Sequence, residues 1–233
     1  MDSLLSVQEV SKTYRRGEHD VAVLSGISLD LVAGDYVSLM GPSGSGKTTL
    51  LNIVAGIDSP TAGRVVVGGT DIAELKDAEL AAWRTANVGL VFQQYNLLPV
   101  LTAVENVELP LLLFDMKKAE RRRRALDALT IVGLAHRADH YPRQMSGGEE
   151  QRTAIARGLV TDPKLIIADE PTGNLDASSA GNVLDLLHVL NADLGKTVLM
   201  VTHDPAAAGR ARRLVRLNKG TLVPDLGKEG RPQ

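Results

Sequence analysis

The chain has 233 residues, of which 44% are hydrophobic, and this is enough to bury the core of a single domain. Its formal net charge of −2 gives no overall attraction to nucleic acid, so we expect no nucleic-acid partner. There are no cysteines, which excludes disulfides, thiolate metal sites and a thiol nucleophile.

The sequence also lacks the usual signals of export and membrane insertion. Its first residues show no basic segment followed by an apolar one, and no stretch approaches the roughly 20 apolar residues of a spanning helix. We therefore expect neither a secretory signal nor a transmembrane segment, and any spanning of a membrane would belong to another chain.

The N-terminal part of the chain predicts short strands separated by glycine-rich turns. Residues 27–32 alternate between apolar and polar side chains, which indicates a half-buried strand, and residues 36–40 indicate a more buried one. A helix is predicted over residues 49–55, because Gly56 follows the last apolar position. Residues 64–67, followed by two glycines, predict a third strand and a turn.

The C-terminal part predicts helices first and strands again later. A helical pattern covers residues 117–134, and another covers 178–193. Strands are predicted at 165–168 and 198–201. Strands that alternate with helices favour an α/β fold with a mostly parallel sheet.

These elements predict one domain over residues 1–233, with an inserted helical lobe. Residues 1–94 and 158–222 would form a core that binds nucleotide, and residues 95–157 the lobe. Residues 223–233 are rich in glycine, proline and charge, so we expect a frayed tail.

A phosphate-binding loop is predicted between the strand 36–40 and the helix 49–55. The sequence from Gly41 to Thr48 fits the pattern G-x-x-x-x-G-K-[ST], in which backbone amides surround phosphate oxygens. Lys47 would add a positive charge, and the Thr48 hydroxyl would bind Mg²⁺. A dinucleotide site is disfavoured, because the glycine fingerprint of dinucleotide-binding folds has no lysine corresponding to Lys47. The predicted nucleotide-binding residues here are Gly41, Pro42, Ser43, Gly44, Ser45, Gly46, Lys47, Thr48 and Thr49.

Two carboxylates, Asp169 and Glu170, end the apolar strand 165–168. Adjacent side chains at the end of a strand point in different directions and can take different roles. Asp169 is predicted to hold Mg²⁺, directly or through water, and Glu170 to orient or deprotonate an attacking water. Such a pair alone often marks a solvated turn, but beside a phosphate loop the catalytic interpretation is favoured.

With Ser146-Gly147-Gly148-Glu149 lying between the loop and the carboxylates, the chain resembles the ATP-binding subunits of ABC transporters. The resemblance covers about residues 4–222. It implies a P-loop NTPase core with an N-terminal antiparallel β subdomain and an inserted α-helical lobe. It also implies an ATP hydrolase that uses ATP and Mg²⁺.

The resemblance gives roles to further residues. It implies that Tyr14 stacks on adenine, that Gln93 contacts Mg²⁺ and water as a catalytic residue, and that His203 contacts the γ-phosphate. It also implies that the loop Asn174–Asp176 crosses a dimer interface.

The segment Ser146–Glu149 resembles the family's signature motif, whose serine and backbone amides hold the γ-phosphate. Gly147 and Gly148 open a predicted helix, and the N-terminal end of a helix suits an anion. In the family two copies pack head to tail, so that the signature of one completes the ATP site of the other. The chain departs from the commonest signature at Met145 and Glu149, where the family usually has leucine and glutamine.

The segments 92–99 and 169–176 resemble one branch of the family in particular. That branch contains lipoprotein-releasing, macrolide-exporting and cell-division ATPases, whose membrane subunits carry an extracytoplasmic domain. The resemblance implies a free-standing subunit for export or extraction of a lipoprotein, peptide or drug-like substrate, bound peripherally at the cytoplasmic face of the membrane. Its membrane permease would dock near residues 93–99.

Two other functions remain open at this point. The chain could be a mechanotransmitter that regulates an extracytoplasmic partner without transport, using the same ATPase. A soluble ABC ATPase acting on DNA or ribosomes is disfavoured, because the chain has no long coiled-coil insertion and no second ATPase half.

The basic run Arg121–Arg124 also has two interpretations. It could be a solvated helix surface with Glu120 and Asp127 as local partners, or it could attract an anionic membrane surface. Four consecutive helical residues wrap more than a full turn, so they cannot form one binding stripe, and the first interpretation is favoured.

Overall fold

The computed structural model describes residues 3–17 and 19–223, so the predicted tail lies outside the described residues except for Val223. The strands are β1 (Ser3–Arg16), β2 (His19–Val32), β3 (Tyr36–Met40), β4 (Ala62–Val67), β5 (Thr70–Asp71), β6 (Val88–Val91), β7 (Leu165–Asp169), β8 (Thr197–Val201), β9 (Arg213–Asn218) and β10 (Thr221–Val223). The α-helices are α1 (Lys47–Val54), α2 (Asp77–Asn87), α3 (Ala103–Glu108), α4 (Lys118–Ile131), α5 (Gly147–Leu159), α6 (Ala177–Ala192) and α7 (Pro205–Ala208). Short 3-10 helices cover Ile72–Glu74, Leu109–Leu113, Ala135–Arg137 and Pro142–Gln144.

The strands form two sheets. The N-terminal sheet has the order β2-β1-β4-β5, and its paired strands are antiparallel. The central sheet has the order β10-β9-β3-β8-β7-β6, and its pairs are parallel except for β10 against β9. The predicted α/β fold with an antiparallel N-terminal subdomain is confirmed.

The central sheet is buried on both faces. In β7, Leu165 and Ile167 pack into a core shared with the N-terminal sheet and α1, whereas Ile166 and Ala168 pack into a second core with the helices. Successive strand residues point to opposite faces, so one apolar run supplies both cores. This explains why the strands of this sheet read as continuous apolar runs.

The first strand hairpin extends further than the sequence pattern indicated. The alternation at 27–32 marks only the last part of β2, which pairs with β1 from Arg16↔His19 to Ser3↔Val32. The first half of β2 is mostly exposed. Its side chains therefore do not alternate between buried and exposed positions, and the sequence shows no strand pattern there. Pairing with β1 through the backbone, rather than side-chain burial, forms this half of the strand.

The predicted helices 49–55, 117–134 and 178–193 correspond to α1, α4 and α6, with ends that differ by up to three residues. The helices α3 and α4 fall within residues 95–157, α5 begins there and ends two residues beyond, at Leu159, and the boundaries of the lobe stay a prediction. None of the helices in residues 3–17 and 19–223 has the length and apolarity to span a bilayer.

Helix α5 crosses the central sheet at a contact between two glycines. A Cβ added to Gly89 on β6 would lie 2.4 Å from the carbonyl oxygen of Gly158 on α5. A Cβ on Gly158 would lie 3.3 Å from the carbonyl oxygen of Leu90, so Gly89 requires glycine and Gly158 leaves little room for a side chain. This contact fixes how closely α5 approaches the sheet.

The basic run lies on α4 and is paired locally. Arg123 contacts Glu120 and Asp127, both at 2.8 Å, and Arg124 contacts Glu120 at 2.9 Å. These pairs agree with the interpretation as a solvated helix surface.

Candidate active site

Four predicted site segments meet at one edge of the central sheet. The strands β3, β8, β7 and β6 are parallel neighbours, so their carboxyl ends lie side by side. The phosphate loop follows β3, His203 follows β8, Asp169 and Glu170 end β7, and Gln93 follows β6. Ligands of open α/β sheets bind at this edge.

The phosphate loop connects β3 to α1 through positions that only glycine can occupy easily. Gly46 has φ +101°, and a Cβ there would lie 2.8 Å from Leu24 Cδ2. A Cβ on Gly41 would lie 2.1 Å from the carbonyl oxygen of Leu217. Gly46 precedes α1 and offers no capping side chain, so the first-turn amides can face an anion.

Lys47 is buried and folds back over the loop. Its Nζ donates to the carbonyl oxygens of Gly41 at 2.8 Å and Pro42 at 3.0 Å. No carboxylate in the described residues forms an ion pair with it. A buried cation held only by carbonyl groups suits an anionic phosphate chain.

Thr48 and Asp169 bring two oxygen groups together. Thr48 Oγ1 donates to Asp169 Oδ2 at 3.3 Å. Burial raises the pKa of Asp169, the Thr48 hydrogen bond opposes this rise, and the neighbouring Glu170 carboxylate adds to it. Hydroxyl and carboxylate oxygens are the ligands that Mg²⁺ takes in proteins, so this pair fits the predicted metal site.

Glu170 and His203 face each other across the ends of β7 and β8. His203 Nδ1 lies 2.9 Å from Glu170 Oε1, and the amide of Glu170 donates to the carbonyl of Val201 at 2.9 Å. Glu170 has φ +49°, a left-handed conformation that is uncommon outside glycine. Backbone in such a conformation at a strand end favours a functional position. The His203 side chain is largely exposed and Glu170 is mostly covered.

Gln93 exchanges hydrogen bonds with Asn174. Its Nε2 donates to Asn174 Oδ1 at 3.4 Å, and Asn174 Nδ2 donates to the Gln93 carbonyl at 3.1 Å. A Cβ on Gly173 would lie 2.7 Å from Gln93 Nε2, so the loop must have glycine there to let Gln93 approach. The structure therefore joins Gln93 to the loop that follows Glu170.

Tyr14 lies on β1 and is held by two residues that the sequence pattern did not reveal. Its hydroxyl donates to Asp58 Oδ2 at 2.6 Å, and Lys12 Nζ lies 4.8 Å from the centre of its ring. Lys12 also donates to Asp58 Oδ1 at 2.6 Å. The hydrogen bond to Asp58 raises the pKa of Tyr14, and Thr49 on α1 opposes this rise. Tyr14 is therefore an oriented ring beside the helix that follows the phosphate loop.

The signature segment starts α5 within the lobe. Ser146 Oγ accepts from the amide of Glu149 at 3.3 Å, and Glu149 Oε2 accepts from the amide of Ser146 at 2.8 Å. Glu149 Oε1 accepts from Arg137 Nε at 3.0 Å. The Ser146 amide and the Arg137 guanidinium hold the pKa of Glu149 below its usual range. Its role as a nucleotide ligand stays a prediction, because these contacts give the carboxylate a capping role.

The glycines of the signature let a neighbouring loop and helix α6 approach α5. A Cβ on Gly147 would lie 2.8 Å from Tyr95 Oη, and one on Gly148 would lie 2.9 Å from Ser179 Oγ. The Ser146 hydroxyl only accepts a hydrogen bond within the lobe, so its proton remains available to a phosphate oxygen.

A family model described as "ABC transporter" matches residues 24–173 of the chain. Over 222 residues the chain is 45% identical to the lipoprotein-releasing system ATP-binding protein LolD of Chromohalobacter salexigens, covering 95% of this chain and 94% of that protein. Over 229 residues it is 48% identical to the macrolide export ATP-binding/permease protein MacB of Syntrophobacter fumaroxidans, covering 97% of this chain. The chain spans only 32% of that MacB protein.

Solved structures show the same fold. A dimeric ATP-binding cassette in a post-hydrolysis state, bound to ADP and Pi, superimposes with a TM-score of 0.86 and is 44% identical. The match covers 94% of this chain and 96% of that one.

Proposed function

Because the chain belongs to the ABC transporter family as an ATP-binding and ATP-hydrolysing subunit, we propose that it drives a separate membrane permease in export or extraction. The observation that carries this proposal is the meeting of the phosphate loop, Gln93, Glu170 and His203 at one sheet edge. This arrangement supports a phosphate cradle next to a carboxylate that would act on water.

ATP would bind between Tyr14 and the phosphate loop. The oriented Tyr14 ring offers a face to adenine, and the residues from Gly41 to Thr49 offer backbone amides and hydroxyl groups to the phosphates. Lys47 would exchange its loop carbonyl partners for phosphate oxygens, which are charged and therefore form stronger hydrogen bonds.

Thr48, Gln93 and Asp169 would hold Mg²⁺ beside the phosphates. When bound, Mg²⁺ would neutralise negative charge on the β- and γ-phosphate oxygens. Asp169 is mostly buried, so its carboxylate is kept from bulk water and is directed at the loop by Thr48.

Glu170 would orient the attacking water and accept its proton, and His203 would hold the Glu170 carboxylate in place. Their 2.9 Å contact leaves Glu170 Oε2 with a longer contact, 3.4 Å from the His203 amide. That oxygen is the better candidate for contact with water, because its hydrogen bond within the chain is the weaker of the two.

The complete site would need a second copy of the chain. Ser146, Gly147, Gly148 and Glu149 lie in the lobe, and the signature segment would contact the γ-phosphate held by the other copy, in a head-to-tail dimer. The dimeric state of the solved relative that is bound to ADP and Pi supports this proposal. The loop Asn174–Asp176 would lie between the two sites.

A membrane permease would dock in a groove between the central sheet and the lobe. The groove has a volume of about 450 Å³. Its lining is mostly apolar but includes two arginines, and its residues are Arg84, Thr85, Val88, Leu90, Phe92, Asn96, Leu109, Pro110, Leu113, Arg157, Gly158 and Thr161.

Exposed apolar side chains occur in the same chain segments as the groove residues Asn96 and Leu113, namely Leu98, Val100, Leu112, Leu113 and Phe114. Large exposed apolar patches mark interaction sites. Arg157 is half-buried and donates to the carbonyls of Tyr95 and Asn96, and Arg84 donates to the carbonyl of Gly56 at 2.6 Å. An apolar helical segment that carries a carboxylate would complement these two guanidinium groups.

We propose further that the partner carries an extracytoplasmic domain. We also propose that the chain binds peripherally at the cytoplasmic face of the membrane. The names of the LolD and MacB relatives support a lipoprotein or a drug-like substrate, a peptide is the third class that we propose, and the partner would select among them. A mechanotransmitter without transport is the alternative, and measuring substrate movement by the reconstituted complex would distinguish the two.

The substitution Glu170→Gln tests the catalytic part of the proposal. It should lower the rate of phosphate release by about 10²–10⁴-fold, as loss of a general base does, and retain ATP affinity. The variant should accumulate as an ATP-bound dimer in size-exclusion chromatography. Near-normal steady-state hydrolysis would remove Glu170 from this role.

A further inference from the structure

Gln151 on α5 is a fully buried amide that connects the helix to two catalytic segments. Its Nε2 donates to the carbonyl of Phe92 at 3.2 Å and to the carbonyl of Pro171 at 2.6 Å. Phe92 directly precedes Gln93, and Pro171 directly follows Glu170. A single side-chain nitrogen therefore joins the lobe to the ends of the neighbouring strands β6 and β7.

The chemistry of these contacts fixes the orientation of the amide. Both partners are carbonyl oxygens, which only accept, so the NH₂ group of Gln151 must face them. This leaves Oε1 buried without a hydrogen-bond partner in the described residues. Burial of an unpaired polar atom is unfavourable, and an apolar side chain of the same length would avoid it. Packing alone gives no reason for glutamine at this position.

The two carbonyls belong to segments whose geometry needs support. Glu170 has a left-handed backbone conformation, and the hydrogen bonds that hold Gln93 to Asn174 are both longer than 3 Å. We propose that Gln151 is a positioning residue that fixes Gln93 and Glu170 relative to the signature helix α5.

This inference rests on the proposed function, and it has a consequence for the dimer. Helix α5 begins at Ser146, which is proposed to contact the ATP of the other copy. Gln151 would then connect the signature contact of one site to the catalytic residues of the other. The two sites would be coupled through one buried amide on each chain.

Asn191 at the end of α6 provides a matched control. It is also a buried amide whose nitrogen donates to two carbonyls, those of Gly34 at 2.9 Å and Lys196 at 2.8 Å. Its Oδ1 also lacks a partner in the described part of the chain. Its carbonyl partners precede β3 and β8 at the opposite edge of the central sheet, away from the candidate active site.

The test compares Gln151→Met with Asn191→Leu, since each keeps the side-chain volume and removes the donors. Gln151→Met should lower kcat about 10- to 100-fold, as misplacement of catalytic groups does, with ATP affinity and the KM for ATP within about twofold of wild type. Asn191→Leu should lower the melting temperature and leave kcat per folded molecule unchanged. If Gln151→Met is not recovered folded, Gln151→Asn, which keeps the amide but shortens its reach, carries the same test.

Mixed dimers give a second readout. When Lys47→Ala and Ser146→Arg subunits are combined, the one intact site takes its phosphate loop, Gln93 and Glu170 from the Ser146→Arg subunit. Adding Gln151→Met to that subunit should lower kcat more than adding it to the other subunit. Equal losses in both placements would show that the substitution merely loosens α5, and would overturn the inference.

The remaining outcomes distinguish failure of the inference about Gln151 from failure of the proposed function. A Gln151→Met variant with wild-type kcat, or one whose loss lies entirely in ATP affinity, would overturn the inference alone. A wild-type chain that binds no ATP would overturn the proposed function and the inference together.

Discussion

Ser146 and Glu149 exchange hydrogen bonds at the first turn of α5, and Arg137 pairs with the free oxygen of the same carboxylate. Both oxygens of Glu149 are therefore used in holding the helix start, which is the segment proposed to contact the γ-phosphate. A residue in this position can shape a nucleotide site without touching the nucleotide.

Glu149→Gln should therefore change stability more than catalysis. Glutamine can still accept from Ser146 but loses the ion pair with Arg137, so we expect a loss of about 1 kcal/mol at pH 7. The folded pKa of Glu149 is lowered, so its contribution is present above the ordinary glutamate pKa and is lost as the pH falls through the folded value. The measurement is urea unfolding at pH 7 and at a series of lower pH values, where the difference should shrink as the pH falls below the ordinary glutamate pKa.

Glu150→Gln is the matched control, because burial raises the pKa of Glu150 and no ion pair of it is found in the described residues. It should not lose stability at pH 7. A Glu149→Gln variant with wild-type stability but defective ATP-driven dimerisation would place Glu149 among the nucleotide ligands.

Mixing inactive subunits tests the shared site. Lys47→Ala removes the phosphate-loop charge, and Ser146→Arg places a bulky cation at the signature, so each variant alone should be inactive. A mixed dimer contains one site with an intact loop and an intact signature, and should recover at most about half of the wild-type rate if the sites act independently. Normal phosphate release by either variant alone would contradict the shared site.

Tyr14 substitutions test the adenine platform. Tyr14→Ala should weaken ATP binding about tenfold, because stacking on an aromatic ring contributes about 1–3 kcal/mol per base. Tyr14→Phe keeps the ring and loses only the hydrogen bond to Asp58, so it should stay near wild type. Equilibrium binding of ATP measures both, and an unchanged affinity in the alanine variant would place adenine elsewhere.

Docking of the permease in the groove can be tested by introducing a charge at Leu113, which lines it. Leu113→Asp should abolish co-purification with the membrane permease and leave ATP affinity unchanged, because a buried, unpaired carboxylate is strongly unfavourable at an apolar contact. Leu194→Asp, at an exposed leucine after α6, is the matched control and should keep the complex intact.

High salt separates partner docking from binding through the basic run on α4. Attachment to an anionic lipid surface should wash off as charges are screened, whereas a packed apolar contact should persist. Salt-reversible binding to protein-free anionic vesicles, as strong as binding to the complex, would contradict docking in the groove.

The features that sequence predicted well are local in the chain. A strand, a glycine-rich loop and a helix follow one another at residues 36–55, so the phosphate loop could be recognised from its own segment. Asp169 and Glu170 could be assigned because an apolar run ends at them. Each of these elements is specified by residues that are adjacent in the sequence.

The features that sequence missed depend on distant pairs. Asp58 is 44 positions from Tyr14, and no local pattern marks it as the partner of a tyrosine. Gln151 meets Phe92 and Pro171 only because β6 and β7 are neighbours in the sheet. Helix α2 was not predicted, although Leu80 and Trp83, three positions apart on it, pack against the core.

The contact between Gly89 and Gly158 sets the point about which α5 can tilt against the central sheet. The two backbones are in contact there, so α5 cannot move closer to β6 at this point, whereas it can still tilt about it. Gly158 lies near one end of α5 and Ser146 precedes the other, about 18 Å away at 1.5 Å per residue. A small tilt of α5 at the glycines would therefore move Ser146 by a larger distance. A methyl group at Gly89 would change the orientation of α5 permanently.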